Sequence, residues 1–154
     1  MPVAPLPWEG FHHVALVTPD LARTRAFYGD VLGMDIGDVL VGGGVIPARH
    51  CFIRPGHDVA TWGLHFFEHR DALISTPPGG VTGLREAGFI VGALQHVAFA
   101  LPDAAAADAL RARLAAAGVE TTPIGRVGPL SNVLFLDPNG VLLEATWPNS
   151  PGPR

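Results

Sequence analysis

Two histidines, His13 and His96, stand at the same point of two copies of one motif. His13-Val-Ala-Leu-Val-Thr-Pro-Asp20 returns as His96-Val-Ala-Phe-Ala-Leu-Pro-Asp103, at a constant offset of 83 residues and with five of eight residue types identical. Neutral imidazole binds divalent iron, manganese, nickel and zinc, so two histidines related by an internal repeat are a natural start for a metal site. A third candidate is Glu144, a carboxylate in the apolar run Val141 to Trp147. Burial of an ionised carboxylate is costly unless it is paired or bound to a cation. Along a strand, residues two apart share a face, so Leu142, Glu144 and Thr146 lie together, opposite Leu143, Ala145 and Trp147.

Each copy begins as an apolar strand, meets Pro-Asp and enters a helix, so the repeat sets the architecture. In the first unit, Phe11 to Thr18 reads as a strand and 20–32 as a helix with Asp20 as its cap and Gly33 as its stop. Strands follow at Met34 to Leu40, Val45 to Arg54 and Val59 to Phe67. The second unit has a strand from Leu94 to Leu101, a helix over 103–117 ended by Gly118, and strands at Val119 to Val127, Leu130 to Leu136 and Val141 to Trp147. Asp137-Pro-Asn-Gly140 is the turn before the last strand. The expected fold is α+β, two βαβββ modules in one domain: module one about 10–67, a connector 68–93 and module two about 94–148. A connector of that length is commonly functional. A short helix is expected near 82–87, and Leu84, Phe89 and Ile90 suit a lid over a cavity; a passive spacer is the alternative.

Composition narrows the function. The chain has 154 residues, 48% hydrophobic and 16% charged, with a net charge of −4, as for one globular domain. All ten basic residues are Arg and form no stripe, which argues against nucleic acid as a partner. No apolar run reaches the ~20 residues of a membrane span, and the first residues do not read as a signal peptide. The one cysteine, Cys51, is consistent with a reducing, cytoplasmic setting.

The motifs His13-Val-Ala-Leu with Pro-Asp-Leu, Phe27-Tyr28 and Leu32-Gly33, the second set His96-Val-Ala-Phe with Pro-Asp, and Asp137-Pro-Asn-Gly-Val-Leu-Leu-Glu144 resemble the vicinal oxygen chelate superfamily. That family includes glyoxalase I, extradiol dioxygenases, methylmalonyl-CoA epimerase and fosfomycin- and bleomycin-resistance proteins. The resemblance implies curved sheets forming an open, barrel-like cavity, and a divalent metal (Fe, Mn, Ni or Zn) held by the first and last strands of each unit. Carried over, the ligands are His13, His65, His96 and Glu144, with His65 standing where the family often has Glu or Gln. Glu144 and His65 are then the candidate proton-moving groups. The metal would accept two neighbouring oxygens of a small, oxygen-rich substrate and act as a Lewis acid. A lyase or isomerase of the glyoxalase type and a dioxygenase are both compatible, but no strand carries the Tyr that ring-cleaving members use. Fosfomycin-modifying members use Lys, which is absent here. The competing class is a non-enzymatic drug-binding protein. A homodimer is expected, because active sites in this family are often completed across the interface.

Other residues carry less. His12 is expected to point away from His13. His50, His57 and His69 are expected at solvated strand ends or turns. Tyr28 is expected to pack; Trp62, Phe67, Phe135 and Trp147 are expected to be core, with the lining of a pocket as the alternative.

Overall fold

The structure is a computed structural model that describes residues 7, 10–42, 47–56, 63–85 and 91–149; for 84 and 85 it describes the backbone alone. Module one contains β1 (His13–Thr18), α1 (Leu21–Ala26), β2 (Asp35–Ile36), β3 (Leu40–Val41), β4 (Arg49–Arg54) and β5 (Gly63–Glu68). Module two contains β6 (Val97–Ala100), α2 (Ala104–Ala116), β7 (Gly125–Val127), β8 (Leu130–Leu136) and β9 (Leu142–Pro148). This is α+β; module two runs βαβββ, and module one does so once β2 and β3, which both pair with β4, are taken as one split strand.

Equivalent chemistry starts both helices. Asp20 accepts from the Arg23 amide at 2.9 Å, and Asp103 from the Ala106 amide at 2.9 Å. Each cap satisfies a helix N–H that has no partner inside the helix. Gly33 and Gly118 follow the helices at φ of +71° and +69°, the left-handed region that glycine enters without Cβ strain. One departure lies in the first helix: after α1 the turn Phe27–Val31 is π-helical, so the expected single helix changes pitch.

Each sheet has a parallel pair at one edge. The order is β1-β5-β4-β2 in one sheet, with β3 also on β4, and β6-β9-β8-β7 in the other. Among the described residues neither sheet closes into a barrel. The expected strand Met34 to Leu40 is split. Its two pieces pair with β4 in registers that leave three residues, Gly37 to Val39, opposite two, Cys51 and Phe52. The Gly37 amide donates to the Phe52 carbonyl at 2.9 Å, and a Cβ at Gly37 would stand 2.9 Å from that oxygen. This is a bulge. The expected strand from Val119 survives only as β7 and a bridge from Thr121 to Phe135, because Pro123 has no amide for the ladder.

One face of each sheet enters a shared core. Leu21, Tyr28, Cys51, Ile53, Leu64 and Phe66 cluster with Phe99, Leu114, Val133, Phe135, Leu143 and Trp147. Phe135 and Trp147 therefore pack as expected; Phe67 is not in this core but stands against His50 and His65, and Trp62 lies outside the described residues. The modules are also tied by a polar clamp. The Tyr28 hydroxyl donates to Asp137 Oδ2 at 3.1 Å, Thr18 Oγ1 donates to Asn139 Oδ1 at 2.7 Å, and Asn139 Nδ2 donates to Thr24 Oγ1 at 3.1 Å. Tyr28 thus bonds as well as packs. Burial, then the neighbouring Asp137, holds its hydroxyl well above the usual range.

Candidate functional site

The faces turned away from the core carry the candidate residues. In module one, His13, Ala15 and Val17 of β1 pair with Gly63, His65 and Phe67 of β5; Phe52 and His50 of β4 pair with His65 and Phe67. Paired residues share a face. His13, His50, Phe52, His65 and Phe67 therefore form one wall, with the core residues Leu64 and Phe66 on the reverse. The His13 and His65 rings meet edge to face, 5.5 Å apart, and His65 stacks on Phe52 at 3.9 Å and 16°. The Arg54 guanidinium lies 4.5 Å from the Phe52 ring centre. His65 is 9% exposed. Burial, helped by nearby His50, His13 and Arg54, lowers its pKa to about 4. It is neutral at pH 7, the form that binds a metal or takes up a proton.

In module two, Ala98 of β6 pairs with Glu144 of β9, which pairs with Leu134 of β8. Glu144 Oε2 lies 3.0 Å from His96 Nε2, and Oε1 accepts from Asn132 Nδ2 at 2.9 Å. Glu144 is half-buried and paired, not the isolated carboxylate that its apolar run suggests. His96 stands just before β6 and is exposed. Its Nδ1 contacts Gln95 Oε1, so Nε2 is the nitrogen that faces Glu144.

The four predicted ligands thus fall into two pairs, His13 with His65 and His96 with Glu144, on two different sheets. Among the described residues no three His, Cys, Asp or Glu side chains gather as a metal-holding group. One chain does not bring all four to a point. Among the described residues β1, which begins at His13, and β6, which follows His96, each pair on one side only.

Two expectations change. His12 turns to the same side as His13, with Nδ1 atoms 2.9 Å apart; it precedes β1, so strand alternation does not govern it. His50 is not a solvated end: its Nδ1 lies 2.8 Å from His65 Nε2. The clue was parity, since His50, Phe52 and Arg54 alternate with the buried Cys51 and Ile53. His69 is exposed as expected, and His57 lies outside the described residues. In the connector, a 3-10 turn spans Gly80–Arg85 and Val81 is buried. Phe89, Ile90 and the Leu84 side chain lie outside the described residues. A cleft of about 520 Å³ beside this turn is lined by Arg23, Phe27, Val31, Val119 and Leu136, and by none of the four predicted ligands.

A family model described as the glyoxalase/bleomycin resistance protein/dioxygenase superfamily matches residues 10–145. The chain belongs to this superfamily. Similar solved structures include a glyoxalase/dioxygenase from Nostoc punctiforme, at 21% identity and TM-score 0.68, covering 97% of this chain and 98% of that one. The antibiotic binding protein TnmS3 from Streptomyces sp. CB03234 is 19% identical with TM-score 0.66, covering 94% and 100%. The fosfomycin resistance protein FosX from Listeria monocytogenes is 19% identical with TM-score 0.62, covering 91% and 93%. A FosX variant was crystallised with Mn(II) and 1S,2S-dihydroxypropylphosphonic acid. No curated protein matches the sequence. Superfamily membership accounts for the repeat and the two sheets; enzymes and binding proteins share this fold, so the reaction must be argued from the site. No helix among the described residues is long and apolar enough to cross a membrane.

Proposed function

We propose that this glyoxalase-superfamily chain is a metal-dependent enzyme of the glyoxalase or dioxygenase type, acting on a small, oxygen-rich organic molecule as a homodimer. The observation that carries this is the division of the ligand set into two preassembled pairs, each beside a strand whose outer edge is unpaired among the described residues. A second copy could set His96 and Glu144 of one chain against the partner's His13 and His65.

The donor set fits a divalent ion such as Fe, Mn, Ni or Zn: imidazole and carboxylate suit these metals, His65 is neutral, and His96 and Glu144 already face each other. Once bound, the metal would polarise two adjacent substrate oxygens as a Lewis acid. The chain's own residues do the rest. Asn132 holds one oxygen of Glu144 and so orients the other. Glu144 and His65 are placed to move a proton. Phe52 and Phe67 flank His65 and keep water from it, and Arg54 offers a cation to an anionic group. The aromatic wall favours one other reading, a drug-binding protein in which a flat ligand stacks on Phe52 and Phe67.

Metal content and subunit mixing test the proposal. Wild-type protein should sediment at twice 16.1 kDa and bind one metal per chain by elemental analysis. His13→Ala and Glu144→Ala should each lose it. Mixed after denaturation and refolding, the two variants should regain one intact site per mixed dimer. A monomer, or no recovery on mixing, would defeat the shared site; a metal-free dimer would favour the binder.

A further inference from the structure

The His50–His65 contact has a direction. His50 Nε2 lies 3.4 Å from the Gly42 carbonyl oxygen. A carbonyl only accepts, so this nitrogen carries the proton. The Nδ1 of the neutral ring is then a lone pair, and 2.8 Å away stands His65 Nε2. His65 must donate there. A neutral imidazole has one N–H, so His65 Nδ1 is left with its lone pair. Both ring planes are held: His50 stacks on Phe67 at 5.2 Å and 23°, and His65 on Phe52. A hydrogen bond on one ring nitrogen sets what the other can bind.

We propose that His50 is a positioning residue that locks His65 into the Nε2–H tautomer and makes Nδ1 its working nitrogen, for a metal or for a substrate proton. This rests on the reading that His65 belongs to the site.

Nitrogen-15 NMR of histidine-labelled protein, first without metal at neutral pH, tests it without turnover. The expected His65 spectrum has a protonated Nε2 and an unprotonated Nδ1. His50→Phe keeps the stack on Phe67 but removes the acceptor, and should give averaged signals from two exchanging tautomers. His50→Asn offers an amide oxygen near the position of Nδ1 and should restore the single tautomer. A protonated Nδ1 in the wild type, or an unchanged His65 spectrum in His50→Phe, would overturn the proposal. Zinc is then added. A move of the Nδ1 signal agrees with both arguments, and a move of Nε2 overturns this one. If neither moves, the metal reading fails while the tautomer assignment stands on the metal-free spectra.

Discussion

Acidification should destabilise this protein through His65 in a predictable pH window. Free histidine titrates near 6.5 and His65 in the fold near 4, chiefly because burial against Phe52 removes water from the ring. The unfolded chain therefore binds more protons between these values, so stability rises with pH across the window. The contribution is fully present above about pH 6.5 and is lost as the pH falls through 4. A shift of that size corresponds to about 3 kcal/mol. Urea unfolding of wild type and His65→Phe at pH 7, 5.5 and 4 measures it. Phenylalanine keeps a ring on Phe52 and cannot be protonated. Asp137, whose pKa burial raises, is common to both proteins and drops out of the comparison. The wild type should lose about 3 kcal/mol more than the variant between pH 7 and 4. Parallel curves would refute the reasoning and mean that water reaches His65 freely.

Two further outcomes concern the clamp between modules. Tyr28→Phe removes the hydroxyl donor to Asp137, which keeps donors from the Asn139 and Val141 amides and the Asn139 side chain; thermal unfolding should show a loss of about 1–2 kcal/mol. Gly140→Ala should be worse, by at least about 2 kcal/mol, because Gly140 has φ +80° and a Cβ would stand 2.5 Å from the Ser75 carbonyl oxygen; chemical denaturation checks it.

The repeat made much of the fold legible. The Pro-Asp caps, α2 and β8 sit where sequence pattern places them, because capping and alternation are local physics. The bulge at Gly37 was not legible, since it depends on how β2 and β3 meet β4. Glu144 looks isolated in the sequence because its partner His96 stands just before a strand, β6, that lies beside β9 in space and not in sequence. His50 was missed for the same reason: its neighbour is fixed by the β4–β5 register, not by adjacency. The site's division into two pairs is a property of sheet topology, which composition and spacing do not record.

The clamp of Tyr28, Thr18, Thr24, Asp137 and Asn139 also bears on how the chain folds and what lengths it tolerates. Thr18 meets Asn139 across 121 residues of sequence, whereas β1 meets β5 about 50 residues on. Closing the larger loop costs only about 0.8 kcal/mol more, because loop entropy grows with the logarithm of length. Rate is more sensitive: contacts this distant form late, and a chain dominated by them folds slowly. Neither half is expected to fold alone, since the clamp and the core each draw on residues of both. The stretch that joins the halves should accept added residues at small thermodynamic cost, provided that Ser75 still meets Gly140 and the Gly80–Arg85 turn still seats Val81.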